Sequence, residues 1–96
     1  MLFLIKTVYE NDATALLKVE GEISTSALEP WNMALATPLR LAQRQVILEC
    51  SGVRFVNHKV AQRLIAQITS RIFLLNCPPA IAKLMRVAGL GRQILD

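Results

Sequence analysis

The chain has 96 residues, of which 53% are hydrophobic, and its 11 basic and 7 acidic side chains give a net charge of +4. This size and apolar content predict one domain with its own core over residues 1–96, and they exclude an intrinsically disordered chain. No apolar run approaches the roughly 18 residues that a membrane helix needs, so membrane insertion is not expected.

The first residues indicate the location of the protein. The apolar run that begins at Met1 is too short for a signal peptide, and its charge, Lys6, follows the run instead of preceding it. We therefore expect a cytoplasmic protein whose two cysteines, Cys50 and Cys77, are reduced. Their spacing is not that of metal ligands, so they are expected to be buried thiols, and a redox link between them stays open.

An N-terminal hairpin is predicted from two runs of strand type. Residues 2–8 form an apolar run, and turn-forming residues follow at 10–12. Leu17 and Val19 then alternate with charged residues within a second strand, Thr14–Ile23. Gly21 in this second strand predicts a bulge or the close approach of another segment.

A first helix is predicted after this hairpin. Ser26 and Glu29 have the spacing of a capping box, Pro30 falls in the first turn, and Pro38 is expected to end or kink the helix. Four residues at helical spacing form its apolar stripe: Leu28, Trp31, Leu35 and Leu39.

The central stretch predicts a strand, a turn and a second helix. Residues 46–50 are typical of a strand buried on both faces, the pair Ser51 and Gly52 predicts a turn, and Phe55 is expected to face the core with its valine neighbours. Helical spacing then begins near His58 and runs to about residue 69, and residues 72–75 form another apolar strand. This order predicts two adjacent parallel strands joined by a right-handed crossover.

The last helix is predicted to begin with Pro79 in its first position. Its buried face would consist of Ile81, Leu84, Met85 and Ala88. Gly89 has the place of a left-handed residue after the helix, with Leu90 closing the cap, and residues 92–96 are expected to be a short tail.

Three segments carry a recognisable pattern: residues 19–23 (VEGEI), residues 46–56 (VILECSGVRFV) and residues 84–90 (LMRVAGL). In this order they resemble a strand-end pattern, the central element and the closing helix of the STAS family of bacterial anti-sigma-factor antagonists. The resemblance implies an α/β fold, with a mixed four- to five-stranded sheet, an N-terminal hairpin, a βαβ crossover and about three helices. It also implies a domain without catalytic machinery that docks onto a protein, commonly a serine kinase that doubles as an anti-sigma factor.

The chain departs from this family where kinase-switched members carry their phosphorylated serine, at the start of the second helix. His58 occupies that position and no hydroxyl is adjacent, so ordinary phosphorylation of a serine is excluded there. The helix N-terminus offers free N–H groups to an acidic partner, and a pH-dependent contact through the histidine stays open. The predicted partner-binding residues are Asn57, His58, Lys59, Arg54 and Arg63.

Two further departures concern the helices. The second helix lacks roughly two turns, about seven residues, relative to the family pattern. Pro78 stands where the family usually has a capping serine before the last helix.

We therefore predict a non-catalytic regulatory module of bacterial transcription, with no catalytic residue, metal or cofactor, that binds an anti-sigma factor or a kinase-like protein. One alternative is an accessory subunit of a membrane transporter ATPase, with Trp31 anchoring a partner helix. Another is a basic nucleotide- or nucleic-acid-binding domain, which is less expected because the basic residues are scattered and only Tyr9 is an obvious stacking candidate. A homodimer also stays open, since a shortened helix leaves apolar sheet surface uncovered.

Overall fold

The computed structural model describes residues 3–95. One five-stranded sheet follows the order of the chain, with the strands β1 (Leu4–Glu10), β2 (Thr14–Ile23), β3 (Gln45–Val56), β4 (Ile72–Leu75) and β5 (Ile94–Leu95). The β1–β2 pair is antiparallel and the other neighbouring pairs are parallel. The parallel strands are joined by the helices α1 (Leu28–Ala36), α2 (His58–Ile65) and α3 (Pro79–Val87). The predicted α/β class and mixed sheet are confirmed.

All three helices cover the same face of the sheet. Because each parallel strand is added beside the previous one, right-handed crossovers that advance in one direction leave their helices on one side. The alternation along β2 agrees, since Ala15, Leu17 and Val19 are at most 1% exposed while the residues between them stay partly exposed. Leu48 of β3 and Ile72 of β4 extend the same buried layer.

The N-terminal hairpin is confirmed, although Leu2 of the predicted first strand lies outside the described residues. Asn11 fixes the turn, because its Oδ1 accepts hydrogen bonds from the backbone N–H groups of Ala13 (2.9 Å) and Thr14 (2.8 Å). Gly21 has a φ of +98°, and the register with β3 shifts on either side of it. The predicted bulge is therefore present.

The start of α1 differs from the prediction, and its core face agrees with it. A 3₁₀ turn at Thr25–Ala27 leads into the helix through backbone that is already helical, so Ser26 bonds to the hydroxyl of Ser24 (3.0 Å) and forms no capping box. Trp31 is 3% exposed. The prediction that it anchors a partner helix is wrong, because the ring is packed into the core.

No turn interrupts β3 at Ser51 and Gly52, so that prediction is wrong. The strand continues for 12 residues because the outer half of β2 pairs with it, with Glu20 opposite Gly52 and Ile23 opposite Val56. Glycine is favoured there, since a Cβ at position 52 would lie 2.8 Å from the Cγ of Glu20 and the Glu20 side chain would have to move. Phe55 is 53% exposed, against the prediction that it faces the core.

Helix α2 is shorter than the predicted range of 58–69. After Ile65 the chain tightens, because the N–H groups of Gln67 and Ile68 donate to the carbonyls of Leu64 (3.1 Å) and Ile65 (3.0 Å). This turn carries the side chain of Ile68 into the core, where it is 7% exposed. The chain then enters β4 at the predicted residue.

The end of the chain is only partly as predicted. Helix α3 begins at Pro79, and its cap is confirmed by a φ of +80° at Gly89 and a 2.8 Å bond from the N–H of Leu90 to the carbonyl of Met85. Ala88 is exposed rather than buried, because it lies beyond the last helical residue. The predicted tail instead forms a 3₁₀ turn and then β5, which pairs with β4.

Candidate functional site

The start of α2 is held in place by backbone and side-chain bonds of one residue. The N–H of Asn57 donates to the carbonyl of Ile23 at the end of β2 (2.8 Å). Its Oδ1 accepts from the N–H groups of Lys59 (3.0 Å) and Val60 (3.2 Å), which makes Asn57 the N-cap of α2. The predicted helix start is confirmed, and the amide oxygen of Asn57 is committed to positioning the helix.

The remaining predicted site residues lie on the surface around this helix start. His58 and Lys59 form the first turn, Arg63 lies one turn after Lys59, and Arg54 precedes the helix on β3; all four side chains are exposed. Within residues 3–95, none of these four side chains forms a salt bridge. The start of α2 therefore presents exposed cationic side chains that are not held in salt bridges within the described residues.

The positive charge of the whole chain is concentrated in its second half. Residues 50–95 contain no Asp or Glu, and they contain seven cations: Arg54, Lys59, Arg63, Arg71, Lys83, Arg86 and Arg92. The prediction that basic residues are merely scattered missed this division, which is visible when charges are counted by position along the chain. One sign of charge over one part of a surface raises the local concentration of partners of opposite charge.

Arg71 is the structural member of this set. Its guanidinium donates to the backbone carbonyls of Leu41 (2.8 Å), Leu39 (3.1 Å) and Arg44 (3.2 Å), which fixes the loop before β3. The other six side chains are exposed and have no salt-bridge partner in the described part of the chain. They are available to a partner.

A polar cluster lies at the end of β4, beside Glu49 in the middle of β3. The carboxylate of Glu49 accepts from the side-chain amide of Asn76 (2.6 Å) and from the hydroxyl of Ser51 (2.8 Å). Desolvation raises the pKa of Glu49, but these hydrogen bonds outweigh it, so the pKa lies below its usual value. The group is a fixed anion whose acceptor positions are used within the fold.

Both cysteines are free thiols. Burial, with smaller contributions from Cys77 and Glu49, raises the pKa of the buried Cys50 far above that of an ordinary thiol. Burial also raises the pKa of the partly buried Cys77 to about 11, although Arg86 opposes the shift. Thiols that stay protonated near neutral pH are poor nucleophiles and poor metal ligands.

Residues 3–95 contain no group of three or more His, Cys, Asp and Glu side chains placed to hold a metal ion. None of the helices in this range is long and apolar enough to cross a membrane.

Comparison with known proteins identifies the fold. No family model and no curated protein sequence matches the chain. Among solved structures, the anti-sigma factor antagonist SpoIIAA in its unphosphorylated form matches with a TM-score of 0.66 at 20% identity, over 99% of this chain and 87% of that chain. The Bacillus cell fate determinant SpoIIAA in the phosphorylated form matches with a TM-score of 0.65 at 22% identity, over 99% and 90%. The predicted resemblance to anti-sigma-factor antagonists is confirmed at the level of the fold.

Proposed function

We propose that this protein is a non-catalytic regulatory module that binds a protein partner at the start of α2. The surface consists of the predicted residues Asn57, His58, Lys59, Arg54 and Arg63. The observation that carries the proposal is a group of exposed cationic side chains at a helix start, without salt bridges among the described residues, on a fold shared with an anti-sigma factor antagonist. Cationic side chains favour a contact that presents carboxylates, and the helix dipole acts in the same direction. The predicted free N–H groups contribute little, because Asn57 already accepts from those of Lys59 and Val60.

Binding at this surface is not switched by phosphorylation of a serine. SpoIIAA has a phosphorylated and an unphosphorylated form, and the family resemblance places His58 at the phosphorylated position. Residues 53–60 of this chain contain no Ser, Thr or Tyr. A phosphate would add close to two negative charges to a surface of this kind and would offset its positive charge. The proposed surface keeps its charge, and it binds constitutively or under another form of control.

The test is affinity capture from a bacterial lysate, with the captured proteins identified by mass spectrometry. Wild-type protein is compared with His58→Glu and Lys59→Glu, and Lys6→Glu on β1 is the matched control because it reverses an exposed charge elsewhere. We expect the same partner with the wild type and the control, and roughly tenfold less with the two α2 variants. Retention of every partner by both α2 variants would show that this surface is the wrong one.

The identity of the captured partner separates the two regulatory alternatives. An anti-sigma factor or a kinase-like protein supports the first, and a transporter ATPase supports an accessory-subunit role. No observation favours the ATPase role at present, because Trp31, its predicted anchor, lies in the core. A nucleic-acid-binding role would instead show binding to RNA that falls steeply with added salt.

We further propose that residues 1–96 act as one domain in the bacterial cytoplasm. Homodimerisation also stays a proposal. The sheet face opposite the helices carries Tyr9, Leu16, Ile47 and Phe73 in register across four strands, and this row is the surface on which a second copy would pack. Light scattering tests it, and a mass of one chain at high concentration would exclude a stable dimer.

A further inference from the structure

A groove between the C-terminal halves of α2 and α3 is apolar and open to solvent. Its volume is about 390 Å³, and its walls include Ile65 and Ala66 on the α2 side and Leu84, Val87 and Leu90 on the α3 side. Val87 is 81% exposed, although it is a large hydrophobic side chain. Exposed apolar side chains that line a groove make it a candidate interaction site.

The groove exists because α2 ends early. The tight turn after Ile65 directs Ile68 into the core, so α2 does not extend along the last turn of α3. The side of α3 that carries Leu84 and Val87 consequently forms a wall of the groove. A trough between two helices is the shape that the ridge of side chains on a third helix fills.

Cationic side chains lie on both helices beside the groove, although none of them lines it. Helical spacing places Lys59 and Arg63 along the side of α2 that continues to Ala66, and it places Lys83 one turn before Val87 on α3. All three cations are exposed, and residues 50–95 contain no Asp or Glu. The apolar groove is therefore flanked by cationic residues on both of its helices.

We propose that this groove binds an acidic amphipathic helix of the partner protein, an inference that rests on the proposed docking function and specifies its partner. The apolar side of such a helix packs against Leu84 and Val87, and its carboxylates face Lys59, Arg63 and Lys83. This is the helix-in-groove mode of recognition, read by apolar anchors at i, i+3 or i+4, and i+7. Lys59 and Arg63 belong to both surfaces, so one partner can contact the start of α2 and the groove together.

Two other occupants fit the groove less well. In a symmetric dimer the same patch faces itself, and the cations of one copy would oppose those of the other. A single-stranded nucleic acid would be attracted by the positive charge, but its bases would have no aromatic side chain to stack on, because the side chains that line the groove are aliphatic apart from Gln62. Both occupants give distinct results in the test.

The test uses the full chain and two labelled synthetic helices that share one leucine stripe, with glutamates on the polar face of one and lysines on that of the other. Fluorescence anisotropy is expected to show binding of the glutamate helix only. Val87→Glu should weaken that binding roughly tenfold or more, because it puts a carboxylate on an apolar wall of the groove. Met33→Glu on α1, where the side chain is 66% exposed, is the matched control and should leave the affinity unchanged.

Amide chemical shifts give a second measurement that needs no variant. Addition of the glutamate helix should move the signals of residues 62–68 and 84–90. The proposal is overturned if the glutamate helix does not bind, if Val87→Glu has no effect, or if the lysine helix binds equally well. It is also overturned if an RNA oligonucleotide competes for these residues, or if the wild type self-associates through them and Val87→Glu does not.

The groove and the docking function fail separately. If the lysate partner is lost with His58→Glu but retained with Val87→Glu, the groove proposal is wrong and the docking function stands. If the glutamate helix binds in the groove while no partner responds to the α2 variants, the proposed docking function is wrong and the groove proposal stands.

Discussion

Replacing Asn57 with alanine tests how the chain holds the start of α2. The side-chain oxygen satisfies two of the four N–H groups that a helix start leaves unpaired, at 3.0 Å and 3.2 Å. Loss of an asparagine N-cap costs about 0.5–2 kcal/mol. Because Asn57 is exposed and water replaces part of the lost bonding, we expect about 1 kcal/mol. For a domain of this size the melting temperature should fall by about 4–8 °C.

Thermal and urea unfolding followed by circular dichroism measure this loss. Asn57→Asp should stay near the wild type, because it keeps the acceptor and adds a negative charge at the positive end of the helix. Asn32→Ala, an exposed position within α1, is the matched control and should not destabilise the protein. An Asn57→Ala protein that melts within about 1 °C of the wild type would refute the capping role, as would an aspartate variant that loses as much as the alanine variant.

Three further results are expected. Arg71→Ala should lower the free energy of unfolding by about 2 kcal/mol, since its guanidinium serves three carbonyls, whereas the exposed Arg63→Ala should stay within about 0.5 kcal/mol in the same urea titration. Trp31→Ala should cost about 3–5 kcal/mol and Trp31→Phe much less, because the buried indole N–H has no hydrogen-bond partner among the described residues; equal losses would contradict this. The folded chain keeps its thiols protonated, with the pKa of Cys77 at about 11 and that of Cys50 higher still, while unfolded thiols titrate near pH 8.5. Stability should therefore fall as the pH rises from about 9 towards 11, and a Cys77→Ala variant that falls as steeply would argue against this origin.

The sheet was predictable because its signal is local. Apolar residues alternate with charged ones along β2, and β4 is a short apolar run, so the bounds of both strands follow directly from the sequence. The continuation of β3 through Ser51 and Gly52 was not predictable from the sequence, because both residues are typical of turns. Only the pairing with the outer half of β2 keeps them extended. Strand β5 has two residues, too few for a periodic pattern, and it exists because β4 offers an edge.

The two parts of the candidate surface differ in the same way. The start of α2 was predictable, since Asn57 is a strong N-cap residue and helical spacing begins directly after it. The groove was not predictable, because it depends on where α2 ends. That point is set by the packing of Ile68 into the core and not by a helix-breaking residue. Its charge was present in the sequence as the absence of acids from residues 50–95.

Docking by positive charge at the start of α2 is tested most directly by calorimetric titration of the captured partner at increasing salt, with wild-type, Lys59→Glu and Lys6→Glu proteins. We expect the wild type and the Lys6→Glu control to bind alike, with an affinity that falls as salt screens the charges, and Lys59→Glu to bind roughly tenfold more weakly at low salt. Equal affinity of all three proteins, independent of salt, would contradict docking at this surface.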